Sequence, residues 1–195
     1  MRKSTINRQT KETQIDLSIN LDGKGLSEIQ TDCGFLNHML TLLASHARFD
    51  LEVTCKGDSE VDFHHTAEDI AICLGQAITA ALGDKKGICR YGNFVVPMDE
   101  ALLEVALDFS GRGLLCENIE LKASKVGDFD TELCKEFMMA LAREAGLNLH
   151  IDQRRGENTH HIIEGIFKAL GRAMRQAVSI DNEFAEEIPS TKGVL

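Results

Sequence analysis

Two copies of one short pattern hold most of the chain's chemistry. His64-His65-Thr66-Ala67-Glu68 and His160-His161-Ile162-Ile163-Glu164 both read H-H-x-x-E, lie 96 residues apart, and contain four of the seven histidines. On a helix, the first histidine shares a face with the glutamate four residues on, and the second shares one through its three-residue spacing. Adjacent histidines point about 100° apart, so one pair cannot chelate a single ion but can serve two ions flanking the helix start. Four imidazoles and two carboxylates without thiolate suit Mn, Fe or Zn by ligand type. A single histidine is more often structural, but two matched motifs favour metal binding. His38 and Glu136 fall at corresponding places 98 residues apart, which makes them the natural additional ligands.

The motifs belong to a larger repeat. Leu43-Ala44, Ala47, Leu51 and Val53 match Leu141-Ala142, Ala145, Leu149 and Ile151 at an offset of 98, and Leu21 to Gly25 echoes Phe109 to Gly113 at 88. An ordered set of matches points to internal duplication, with one half over residues 1–88 and the other over 89–195. Thr13 to Leu21 and Leu102 to Phe109 read as strands ending at Gly-x-Gly turns, which favour antiparallel hairpins. Helices follow over Gly34 to His46 and Thr131 to Ala145, with apolar residues at three- and four-residue spacing. Short strands come next (Phe49 to Cys55; Leu147 to Asp152), then helices over His65 to Leu82 and His160 to Val178. The expected fold is mixed α/β (α+β), two β-sheet-plus-helix halves related by a pseudo-twofold and joined as one compact unit.

Composition narrows the function further. The 195 residues carry 31 acidic against 21 Lys+Arg, a formal charge of −10, which argues against nucleic acid or anionic membrane as partner. No apolar run reaches membrane-spanning length and no signal peptide is evident, so a cytoplasmic protein is expected. Six cysteines without a C-x-x-C pair read as reduced, mostly buried thiols. Dinucleotide, P-loop, zincin and esterase motifs are absent. A dinuclear hydrolase and a non-catalytic metal store are the competing readings. Hydrolase centres commonly use a bridging aspartate, and a store needs no basic residues beside its metal.

Several stretches resemble the imidazoleglycerol-phosphate dehydratase family of histidine biosynthesis: Arg8 to Thr13, Phe35-Leu36-Asn37-His38-Met39-Leu40, both H-H-x-x-E motifs, Pro97 to Leu102, Asp108 to Arg112 and Pro189 to Gly193. The resemblance runs in order along nearly the whole chain. It implies a centre with two Mn2+ per active site, held by His38, His64, His65, Glu68, Glu136, His160, His161 and Glu164. It also implies 24 self-associated chains with active sites between subunits. The implied reaction removes water from D-erythro-imidazoleglycerol phosphate to give imidazole acetol phosphate, with the substrate's imidazole held as an imidazolate. Glu12 is the implied acid/base, although its repeat partner Glu100 has equal claim by position. Arg90, Arg112, Lys168, Ser190, Thr191 and Lys192 are the implied phosphate set, and His46 is expected to line the substrate pocket, with His150 left as a structural residue on a strand. Two departures stand out: the family often has histidine where this chain has Glu136, and Leu42 replaces a commonly polar residue.

Overall fold

The computed structural model describes residues 1–195. The first half runs β1 (Lys3–Gln9), β2 (Thr13–Asn20), β3 (Ser27–Gln30), α1 (Gly34–Ala47), β4 (Asp50–Gly57) and α2 (His64–Leu82). The second runs β5 (Tyr91–Met98), β6 (Ala101–Asp108), β7 (Leu114–Asn118), a short hairpin of β8 (Lys125–Val126) and β9 (Phe129–Asp130), α3 (Leu133–Ala145), β10 (Asn148–Arg155) and α4 (Thr159–Val178). The strand orders are β1-β2-β4-β3 and β5-β6-β10-β7. In each sheet the first three strands are antiparallel neighbours and the fourth joins in parallel. Two sheets with one connectivity establish the duplication, and the β8–β9 hairpin is the main addition to the second half.

Alternation builds the sheets. Ile15, Leu17 and Ile19 in β2, and Leu103, Val105 and Leu107 in β6, point to the helices, while their neighbours face out. The hairpins, however, do not turn at the Gly-x-Gly sites. β1 and β2 are joined at Thr10 to Glu12, and β5 and β6 at Asp99-Glu100. The glycine segments instead carry the chain past β4 or β10 to the far side of the sheet. Gly113 shows why glycine is required there: a Cβ would sit 2.5 Å from the Arg143 Cα near the end of α3. β1 and β5 lacked a strand signal because each is an edge strand with side chains largely exposed or half-buried.

The helices join the halves. α2 packs on α3 and α1 on α4, so each helix that opens with a histidine pair crosses the first helix of the other half. One core of 53 buried residues is continuous across them. Both crossings close on a glycine. A Cβ on Gly75 would meet the Glu144 Cβ at 2.6 Å and the Ala145 N at 2.9 Å; on Gly171 it would meet the Leu43 O at 2.8 Å and the Ala47 N at 3.0 Å. Those obstacles near the ends of α3 and α1 are mostly backbone, so a side chain at either glycine must push two helices apart.

Gly171→Ala is expected to destabilise by about 1–3 kcal/mol, as overpacking does, lowering Tm by roughly 2–12 °C at this chain length. Gly34→Ala, where a Cβ meets nothing within 4 Å, should leave Tm unchanged or slightly raised in the same calorimetric comparison.

All six cysteines are free thiols; Cys33, Cys55, Cys73 and Cys134 are buried, while Cys89 and Cys116 are exposed. Burial pushes the Cys55 and Cys134 thiols up to about 12 and Cys73 to about 11. Because the thiolate is the nucleophile, iodoacetamide at neutral pH should leave these three unmodified until urea unfolds the chain. Peptide mass spectrometry reads the outcome, and labelling of Cys134 in folded protein would contradict the packing.

Candidate metal centre and active site

Each histidine pair sits on the first turn of its helix. The Asn158 side chain caps α4, accepting from His160 N at 2.9 Å and His161 N at 3.3 Å. Asp62 accepts from His64 N at 2.7 Å at the start of α2. The paired rings diverge as the helical geometry requires, with interplanar angles of 81° for His64/His65 and 77° for His160/His161. In each pair the first ring turns along its own helix toward the motif glutamate. The second turns toward carboxylates outside its helix, at the β5–β6 hairpin tip for His161 and mainly in the β4–α2 loop for His65.

The α1–α4 crossing gathers one compact donor group. Glu164 Oε2 lies 3.1 Å from His160 Nε2 and 3.5 Å from His38 Nε2, and the three ligand atoms all fall within 4.8 Å of one another. His38 comes from the first half and the other two from the second, so the helix crossing creates the group. Phe35 presents an edge-on contact to the His160 ring at 5.1 Å. A cavity of about 420 Å³ opens beside Phe35, His38 and His160, walled on its other side by Gly127, Asp128 and Phe129. Lys168, one turn beyond Glu164, places its Nζ 2.6 Å from Oε1. Burial alone would raise the Glu164 pKa, but Lys168 and the two histidines together hold it below the ordinary range. Imidazole and carboxylate donors converging without a thiolate fit Mn2+ by donor chemistry.

The hairpin tips and the β4–α2 loop carry the other donors. His161 Nδ1 lies 2.7 Å from Glu100 Oε2, and its Nε2 is 3.6 Å from Asp99 Oδ2. Glu100 also accepts backbone hydrogen bonds from Asn158 at 2.8 Å and Glu157 at 3.2 Å. His161 and these two amides draw its pKa down to about 2. In the first half His65 Nδ1 meets Asp58 Oδ2 at 3.0 Å, while Glu12 stands 3.8 Å from Nε2. Hydrogen bonding to Asp58 and to Glu100 raises the pKa of His65 and His161 respectively.

The remaining candidates are placed less uniformly. His64 is 3.9 Å from Glu68, which also faces Arg143 at 3.8 Å, and Glu136 is half-buried on α3 without joining a three-donor group. Arg90 is committed within the chain: it pairs with Asp108 at 2.6 and 3.1 Å, donates to the Pro189 carbonyl at 2.8 Å and stacks on Tyr91. It thereby ties the C-terminal segment to the start of β5. Arg112 donates to the Ser110 carbonyl at 3.3 Å, and Ser190 Oγ accepts from Lys192 N at 3.2 Å. Thr191 and Lys192 are exposed at the end of that segment. His46 lies at the α1–α4 crossing, where its Nδ1 accepts from Arg172 at 3.3 Å. Its pKa is lowered by burial, then by Arg172 and Lys168. His150 is exposed on β10, apart from the donor group.

Three contributors lie outside the candidate set that the motifs and the repeat supply: Asn158, Asp58 and Asp99. Asn158 was legible as a helix-capping residue just ahead of its motif. Asp58 sits where a two-residue length difference interrupts the repeat, and Asp99 faces a lysine, Lys11, in the alignment of the halves.

The chain is similar to known proteins along its length. A family model described as imidazoleglycerol-phosphate dehydratase matches residues 31–174. The imidazoleglycerol-phosphate dehydratase of Azorhizobium caulinodans is 57% identical over 195 residues, covering 100% of this chain and 99% of that protein. One from Lactococcus lactis subsp. cremoris is 57% identical over 199 residues, with coverage of 100% and 98%. Among solved structures, the Staphylococcus aureus enzyme superposes with a TM-score of 0.84 at 44% identity, covering 92% of this chain and 99% of that one. The Pyrococcus furiosus enzyme gives a TM-score of 0.84 at 38% identity, with coverage of 97% and 100%. The chain belongs to the imidazoleglycerol-phosphate dehydratase family, hydro-lyases of histidine biosynthesis.

Proposed function

We propose that this hydro-lyase converts D-erythro-imidazoleglycerol phosphate to imidazole acetol phosphate with two Mn2+ per active site. The observation that carries the metal reading is the His38–His160–Glu164 group, assembled from two helices of different halves. His64, His65, Glu68, His161 and Glu136 would supply the remaining ligands. They do not converge on a three-donor group within one chain, which favours sites completed by another copy; the family resemblance supplies the size, a self-associated particle of 24 chains. Bound Mn2+ would act as a Lewis acid that stabilises the substrate's imidazole as an imidazolate.

The chain's own residues divide the rest of the work. The hydrogen to be lost sits on a weakly acidic carbon, so a positioned base must take it. Glu12 and Glu100 are equivalent in the repeat, but their surroundings differ. Glu100 is bound by one imidazole and two backbone amides, which ties it to the support of His161 and α4. The Glu12 carboxylate is exposed at a hairpin tip and accepts no hydrogen bond, so it is the group available to move a proton. Lys168, Arg112, Ser190, Thr191 and Lys192 would hold the phosphate, with Arg90 seating Pro189 so that the terminal segment stays near. No helix is long and apolar enough to cross a membrane; the enzyme would act in the cytoplasm, and its net charge of −10 disfavours nucleic acid as partner.

Glu12→Gln should lower kcat by about 10²–10⁴-fold, the scale of general acid–base catalysis, with Mn2+ content and Tm unchanged. Glu100→Ala should weaken Mn2+ binding instead, because it removes the carboxylate that supports His161. Equal kinetic profiles for the two variants would reject the division.

Stripping metal should abolish ketone formation and adding Mn2+ should restore it. Protons compete with metal for imidazole nitrogen. Since Asp58 and Glu100 hold His65 and His161 protonated to higher pH than a free imidazole, Mn2+ affinity should fall as pH drops through the range just above the usual histidine pKa. Titrations across pH that show constant affinity there would contradict this account.

A further inference from the structure

The two halves orient the second histidine of each motif by different means. In the second half Glu100, at the β5–β6 tip, reaches His161 Nδ1 at 2.7 Å. Glu12 holds the corresponding place at the β1–β2 tip, yet it approaches the opposite ring nitrogen of His65, Nε2, and stops at 3.8 Å. The Nδ1 position is already taken by Asp58, whose two carboxylate oxygens lie 3.2 and 3.0 Å away. Asp58 comes from the loop between β4 and α2, and its side chain is only 20% exposed. The repeat offers no counterpart: residues 96 and 98 positions further on are Arg154 and Gly156.

The local chain is built to deliver this carboxylate. Gly57, the last residue of β4, passes so close to Thr66 on the first turn of α2 that a Cβ would overlap the Thr66 Oγ1. The next turn is closed by Val61 N donating to the Asp58 carbonyl at 2.8 Å. A carboxylate accepting Nδ1–H fixes the imidazole tautomer and leaves the Nε2 lone pair outward, the usual arrangement behind a metal-bound histidine.

We propose that Asp58 is a positioning residue that holds His65 with Nε2 presented for metal and relieves Glu12 of the supporting task that occupies Glu100 in the other half. The duplicated hairpin tips thereby acquire separate functions: one glutamate supports, and the other stays free to transfer a proton. Without Asp58, Glu12 would be the nearest remaining carboxylate to the His65 ring.

The inference rests on the reading of His65 as a Mn2+ ligand and Glu12 as the acid/base, and the test separates them. Mn2+ affinity is measured by electron paramagnetic resonance of free Mn2+ for the intact protein and for Asp58→Ala, Asp58→Asn and His65→Ala, together with kcat, KM and Tm. Asp58→Ala should weaken Mn2+ binding about 10–100-fold, the scale for loss of such a support. It should also lower kcat more than it changes KM, with Tm preserved. Asp58→Asn, whose amide oxygen can still accept from Nδ1–H, should recover most of the affinity. Unchanged affinity in Asp58→Ala would overturn the inference while a loss in His65→Ala upholds the ligand reading. Equal losses in Ala and Asn variants accompanied by a lower Tm would mark Asp58 as merely structural. Full affinity in His65→Ala would overturn the ligand reading, and the inference with it.

Discussion

The close crossing of α4 over α1 is the contact on which the rest of the molecule depends. Gly171 lets the backbones approach until a single added carbon would strike Leu43 O and Ala47 N, and Gly75 does the same where α2 crosses α3. The two glycines are repeat equivalents, and so are Ala47 and Ala145, whose backbone nitrogens they approach. Neither half could bury its helices alone, because the apolar face of each motif helix is covered partly by the other half. The same contact brings His38 from one half beside His160 and Glu164 from the other. Stability and the candidate donor group therefore share one cause, and the two duplicated halves form a single folded unit.

Duplication supplies pairs, and chemistry requires that the pairs diverge. Lys168 neutralises Glu164 on its own helix, whereas Glu68 is faced by Arg143 from α3. The β8–β9 hairpin, without a counterpart in the first half, places buried Phe129 against Phe35 at 5.2 Å, and Phe35 in turn abuts His160. The compact donor group thus has an aromatic wall on only one side of the pseudo-twofold. An asymmetric substrate bearing a ring at one end and a phosphate at the other calls for such unlike sides.

Much of this was legible in the residues. The histidine motifs, the repeat offsets and the core helices all rest on local spacing, which survives folding unchanged; Gly34–Ala47 and His64–Leu82 depart by at most a residue from what periodicity indicates. The hairpin turns were misplaced because Gly-x-Gly suggests a tight turn, while here the glycines answer a tertiary demand, the approach of Gly113 to Arg143. β1 and β5 escaped because edge strands lack a buried alternation. Asp58 escaped because a length difference hides it from the repeat, and the commitment of Arg90 to Asp108 and Pro189 depends on where the terminal segment lies, which no spacing discloses.

The central claim is that the inter-half helix crossing builds a metal site. Anomalous diffraction from crystals soaked in Mn2+ tests it directly. The account predicts a peak bonded to His38 Nε2, His160 Nε2 and the Glu164 carboxylate at the α1–α4 crossing. Strong peaks elsewhere, with none among those three side chains, would contradict it.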